Sequence, residues 1–175
     1  MQPQPQVSSG DWFNSLAPQL QLLIKLSDTL YERELKLESE LSDYSFIVFP
    51  LAKAYEGFLK DFLFNLGLIS ERLYRSHRFR IGRALNPDVR YEQRDDEWVY
   101  DNVGQLCGPD FARDVWDAWL VCRNQLFHFF PTETSNLNLS QVSGYQQMLT
   151  KIMQQGYHYQ KPYMHTSKLL TQTHS

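Results

Sequence analysis

An apolar run over residues 118–130 is interrupted by Arg123, Asn124, Gln125 and His128. Polar side chains inside such a run need a structural or a chemical reason. An imidazole titrates near neutral pH and moves a proton on or off a ribose oxygen, whereas a guanidinium stabilises negative charge that builds up on a phosphorane. If Arg123 and His128 reach one pocket, proton transfer at a phosphodiester is a chemistry that they would suit, and it requires no metal ion and no cofactor.

The spacing of this pair sets a condition on the helix. Residues five apart lie about 140° apart on an ideal α-helix, so Arg123 and His128 do not automatically share a face, whereas Asn124 and His128 do. A helix that frays or widens near His128 would let Arg123 reach the same pocket. The spacing alone is weak evidence, because Arg72 and His77 repeat it.

A structural role for the pair is the alternative interpretation. His128 would then cap the end of its helix, and Arg123 would pair with Asp114 or Asp117 in the preceding turns. Two features distinguish Arg123 and His128 from the second Arg-x4-His match and favour the chemical interpretation. Asn124 directly follows the arginine, and a proline break directly follows the apolar run.

Two further groups of charged residues are candidates for the same chemistry. Lys53 and Glu56 are neighbours on a helix that is otherwise apolar on most faces, where they form either a structural ion pair at the rim of the core or part of a site. Between residues 71 and 94, seven arginines face three acids, a local charge of +4 in a chain of net charge −3. The planar guanidinium groups of such arginines can bind phosphate oxygens, but the same arginines could equally well pair with the acids of residues 95–97.

Length and composition predict one globular domain. The chain has 175 residues, of which 42% are hydrophobic. Residues 10–157 are expected to form the domain, with a disordered leader at 1–9 and a flexible tail at 158–175. Cys107 and Cys122 are too few for a disulfide framework and lack metal-ligand spacing. With no signal peptide and no membrane-spanning stretch, a cytoplasmic protein is expected.

Hydrophobic periodicity predicts an all-α fold, a bundle of four to five main helices plus short ones. The expected main helices are a long one that begins at Ser9 or Asp11 and carries leucines to Leu41, a central one from Tyr44 to Leu63 that ends by Gly67, one from Gly108-Pro109-Asp110 to Phe127, and a last one from about Ser140 to Gln155. A short helix is expected over Ile69–Ser76.

Three of these segments occur in an order that resembles a known family. Tyr44–Leu63, the segment Arg78-x-Arg80-Ile81-Gly82 and the signature Arg123-Asn124-x-x-x-His128 are similar to the HEPN domain of RnlA/LsoA-type toxins, over roughly half of the chain. The resemblance implies a basic residue and a glutamate three apart on the central helix as catalytic partners, a pattern that Lys53 and Glu56 match. Lysine stands here where arginine is more usual.

The resemblance also implies a function. It predicts a toxin or antiphage-defence endoribonuclease in which two signature helices face each other in a homodimer, controlled by an antitoxin or inhibitor protein. His128 would be the acid/base, Arg123 the phosphate stabiliser, and Asn124 and Glu56 orienting groups; the substrate contacts would be Lys53, Arg78, Arg80 and Arg83. The alternatives are a non-catalytic HEPN-like module that binds RNA or protein, and an unrelated helical scaffold.

Overall fold

The computed structural model describes residues 9–37, 40–128 and 136–172, without the side chains of 123–125 and 165–172. All regular structure in this part of the chain is helical, which confirms the all-α prediction. In chain order the elements are α1 (Asp11–Asn14), α2 (Pro18–Leu37), α3 (Ser45–Asn65), α4 (Glu71–Tyr74), α5 (Ile81–Ala84), a 3-10 turn (Tyr91–Gln93), α6 (Tyr100–Cys107), α7 (Pro109–Trp119), a π-helix (Leu120–Gln125) and α8 (Leu139–Gln172).

Helix α3 is the centre of the core, as its nearly continuous apolar sequence predicts. The helices α2 and α8 pack along it. Its fully buried side chains include Tyr55, Phe58 and Phe62. The helix ends as expected at Gly67, whose positive φ of 70° allows the Leu68 amide to donate to the Leu63 carbonyl at 2.9 Å.

Two polar residues in the leucine seam of α2 are buried with partners, and Ser27 joins α2 to two other helices. Ser27 is fully buried, and its hydroxyl donates to the Ile47 carbonyl of α3 at 2.8 Å. The same hydroxyl accepts from the Gln146 amide of α8 at 3.0 Å. Glu34 is also buried and pairs with Arg33 at 2.7 Å. Each of these polar positions is satisfied, so the interruption of the leucine pattern costs little.

The single long helix expected from Ser9 or Asp11 to Leu41 is wrong in its bounds. The chain breaks after α1, and α2 starts at Pro18 and ends at Leu37. Proline disfavours helical geometry at the residue before it but suits the first position of a helix, so Pro18 marks a start that the leucine spacing concealed.

The expected end of the last helix near Gln155 is also wrong. Helix α8 continues to Gln172, and Tyr157 and Gln160 beyond the expected end are both buried. The Gln160 side-chain oxygen accepts from the Asn65 amide of α3 at 3.0 Å. Residues 1–8 of the expected leader and 173–175 of the expected tail lie outside the described residues. No helix in the described part of the chain is long and apolar enough to cross a membrane.

A close crossing of α8 over α3 requires glycine at position 156. A Cβ built there would lie 2.8 Å from the ring of Phe58 and 3.4 Å from that of Phe111, whereas one at Gly144, on the same helix, would meet nothing within 4 Å. We expect Gly156→Ala to lower the free energy of unfolding by about 1 kcal/mol, because overpacking outweighs the gain in helix propensity.

Gly144→Ala is the matched control and should raise the free energy of unfolding by about 0.5–1 kcal/mol. Urea denaturation of the two variants and the wild type measures both changes. A gain in stability from both substitutions would contradict the close crossing at Gly156.

Candidate active site

The helix that carries the signature widens at its end. Helix α7 passes into the π-helix Leu120–Gln125, in which the Leu126 amide donates to the Val121 carbonyl five residues earlier at 3.1 Å. In this geometry residues five apart lie about one turn apart, unlike in an α-helix. The helix therefore widens at residues 120–125, and this widening ends three residues before His128.

A buried hydrogen bond fixes α7 against the central helix. The Tyr55 hydroxyl of α3 donates to the Val115 carbonyl at 2.9 Å, one turn before the π-helix begins. Complete burial, with Cys122 and Asp114 as further causes, raises the pKa of Tyr55 well above its ordinary value, so the phenol remains a donor. This contact fixes the position of α7 along the axis of α3.

The start of α3 contacts the end of the signature. The ring of Phe49 meets that of Phe127 edge to face, with 5.2 Å between centroids. Lys53 and Glu56 follow Phe49 at i+4 and i+7 and so lie along the same side of α3. Lys53 is exposed and Glu56 partly exposed, and Lys53 lies one turn along α3 from the ring that contacts Phe127.

The arginine-rich segment contacts the chain just before the π-helix. Helix α5 packs on Trp119, the last residue of α7, and a Cβ added at Gly82 would lie 2.6 Å from the Trp119 Nε1. Glycine is needed here because the indole occupies the space of a side chain. Two segments that are distant in sequence, α3 and α5, therefore contact the chain within residues 119–127.

The predicted phosphate contacts differ in their availability. Arg83 pairs with Asp95 at 2.8 Å and donates to the Gln93 carbonyl, so one of the acids in residues 95–97 holds it. The hydrogen bond from Arg83, opposed by a little desolvation, lowers the pKa of Asp95. Arg78 and Arg80 are exposed, and no side-chain hydrogen bond or ion pair engages them within the described residues. These two arginines are the better candidates for phosphate.

The signature residues themselves are described unequally. His128 is exposed, so its imidazole is accessible to a substrate. The side chains of Arg123 and Asn124 lie outside the described part, so the alternative in which Arg123 pairs with Asp114 or Asp117 stays a prediction. The neighbouring Cys122 is fully buried, and burial raises the pKa of its thiol to about 12, so it is not a nucleophile.

Asp43, just before α3, binds the chain that follows the signature. Its carboxylate accepts from the Leu137 amide at 3.0 Å and from the amide and hydroxyl of Ser45 at 2.9 and 2.7 Å. Burial opposes ionisation of Asp43, but these hydrogen bonds outweigh it and lower its pKa. Asp43 therefore ties the N-terminus of α3 to the segment that leads into α8.

Sequence reasoning missed the residues that bring the segments together: Phe49, Gly82, Trp119, Phe127 and Asp43. The glycine in Arg80-Ile81-Gly82-Arg83 is the one sequence signal that could have indicated a close approach. Their partners are set by the tertiary structure alone. Comparisons of the chain with protein-family models, with curated proteins and with solved structures find no match.

Proposed function

We propose that this protein is a metal-independent endoribonuclease of the toxin or antiphage-defence type. The observation that carries the proposal is that α5 and α3 contact the chain on the two sides of the π-helix, Gly82 against Trp119 before it and Phe49 against Phe127 after it. The segments that carry these contacts are the ones in which the chain resembles the HEPN domain. π-Helical turns also occur frequently at functional sites.

The proposed reaction is an in-line attack of the ribose 2′-oxygen on the adjacent phosphorus. The 2′-hydroxyl proton leaves as the new P–O bond forms, the bond from phosphorus to the 5′-oxygen breaks, and that oxygen takes a proton. The products are a 2′,3′-cyclic phosphate and a 5′-hydroxyl. His128 transfers the proton, and Arg123 stabilises the charge on the phosphorane. Asn124 and Glu56 orient these groups.

Substrate binding is assigned to the exposed basic residues around the turn. Arg78 and Arg80 offer guanidinium groups to phosphate, and Lys53 contributes a point charge. Arg83 would have to exchange its pairing with Asp95 for a phosphate. Steering of RNA to a chain with a net charge of −3 would then depend on this local concentration of positive charge.

A homodimer is part of the proposal. Phe46 and Phe49 on the outer side of α3 are 37% and 53% exposed, and a second copy of the chain would cover them beside Lys53. The two signature helices would then line one cleft. A protein inhibitor would act by covering the same surface.

A non-catalytic RNA-binding module is the second candidate, since Arg78 and Arg80 are exposed whether or not His128 reacts. It would bind RNA and lose binding on Arg78→Glu or on Arg80→Glu, while the exposed Arg113→Glu on α7 would serve as a charge-matched control for each. Binding without cleavage would select this module over the nuclease.

The deciding experiment is incubation of purified wild-type protein with labelled single-stranded RNA in the presence of EDTA. We expect fragments that end in a cyclic phosphate, and we expect a single 2′-deoxynucleotide at a cleaved position to block cleavage there. Dependence on added divalent metal, fragments with a 5′-phosphate, or no cleavage of any RNA in a mixed pool would refute the proposal.

A further inference from the structure

A cavity of about 330 Å³ lies at the far end of α3 from the candidate active site. Its walls come from the connection between α1 and α2, the C-terminal half of α3, Tyr74 of α4 and the second half of α8. Asp61, which lines it, follows Phe49 by twelve residues on the same helix, about 18 Å along the axis. Along α3 the cavity lies beyond Lys53 and Glu56, while the chain from Tyr74 and Ser76 leads on to Arg78 and Arg80.

One carboxylate is the main charged group of the cavity. The Tyr74 hydroxyl donates to Asp61 Oδ1 at 2.8 Å. Lys60, the residue before Asp61, directs its ammonium to the Ser76 carbonyl at 3.1 Å. Burial raises the pKa of Asp61 above its ordinary value, although the Tyr74 hydrogen bond and the Lys60 charge act in the opposite direction. A further cation at this carboxylate would offset the cost of its desolvation.

Aromatic rings form much of the remaining wall. The rings of Phe64 and Tyr74 are stacked with 4.7 Å between centroids, and Phe58 contributes a third ring. The faces of such rings attract cations and disfavour anions. Burial, followed by the hydrogen bond to Asp61, raises the pKa of Tyr74 to about 12, so its hydroxyl stays a donor to the carboxylate.

The opposite wall is held in place by buried polar contacts. Gln160 of α8 is buried and accepts from Asn65 of α3 at 3.0 Å, and Met164 lies one turn further along α8. A volume of about 330 Å³ equals the liquid volume of about ten waters, which is enough for an amine on a short apolar body. Apolar walls with a few convergent polar groups are typical of small-molecule sites.

We propose that this cavity binds a small organic cation, with Asp61 as the counter-ion of its ammonium group and the rings of Phe64 and Tyr74 against its body. The site is independent of RNA cleavage, and neither activity requires the other.

The test uses the methyl resonance of Met164, in the full-length protein labelled at its methionine methyl groups, during titration with 2-phenylethylamine. We expect a saturable shift of Met164, and at least tenfold weaker binding of 2-phenylethanol, which has the same size without the charge. Asp61→Asn should weaken binding of the amine at least tenfold, while Asp117→Asn, an exposed change on α7, should not.

The comparison of the two ligands on wild-type protein holds even where Asp61→Asn fails to fold. An unchanged Met164 resonance at millimolar amine, or equal affinities for the amine and the alcohol, would overturn the proposal. Equal affinities of folded Asp61→Asn and wild type for the amine would overturn it as well.

Discussion

His128→Ala is expected to lower the rate of RNA cleavage by about 10²–10⁴-fold, the usual contribution of a general acid or base. The imidazole is exposed at the end of the widened helix, so its removal takes away the proton carrier without opening the core. Stability should change by less than about 0.5 kcal/mol, because surface substitutions of this kind rarely do more. Rates from single-turnover cleavage and urea denaturation of the same preparations measure the two effects.

His77→Ala is the matched control for this prediction. His77 is also exposed and also follows an arginine by five residues, Arg72, but it lies in the connection between α4 and α5. We expect wild-type cleavage from His77→Ala. A similar loss of activity from both variants would show that the spacing alone does not define the site, and equal activity of His128→Ala and wild type would assign any cleavage to a contaminant.

The sequence predicted the architecture because its strongest signals are local. The apolar run of α3 predicts a central helix, and Gly67 and Gly108-Pro109 mark an end and a start that the structure confirms. The two wrong boundaries both involve weak local signals. Pro18 was hidden by a leucine spacing that continues across the break, and the second half of α8 is stabilised by contacts such as Gln160 with Asn65, which no local pattern encodes.

The candidate site was predictable in its members but not in its assembly. Charged residues on apolar helices identify Lys53, Glu56, Arg123 and His128 as unusual. Whether they form one site depends on the tertiary structure, in which Phe49 contacts Phe127 and Gly82 contacts Trp119, residues that are tens of positions apart. The π-helix is likewise a tertiary consequence, since its residues have no sequence signature that separates them from an α-helix. From the sequence we could predict only that the helix must fray or widen near His128, and the π-helix at residues 120–125 is such a widening.

Phe62→Ala is expected to have the largest effect on stability, a loss of about 3–5 kcal/mol in the free energy of unfolding. The ring is fully buried where α3, α7 and α8 meet, stacked on Phe58 and edge-on to Phe111 with 5.9 Å between centroids in each case. The cavity left by its removal cannot collapse easily, because Gly156 already brings α8 into contact with Phe58 and Phe111. Thermal denaturation should show a lower melting temperature, by on the order of 10 °C.

Phe49→Ala separates this structural role from the chemical one on the same helix. Phe49 is 53% exposed, so its loss should cost less than about 1 kcal/mol. It removes the ring on which Phe127 packs, however, and the main chain that leads to His128 loses a support. We therefore expect Phe49→Ala to impair RNA cleavage more than tenfold while leaving the fold intact. A large loss of stability from Phe49→Ala, or a small one from Phe62→Ala, would reverse the assignment of core and site along α3.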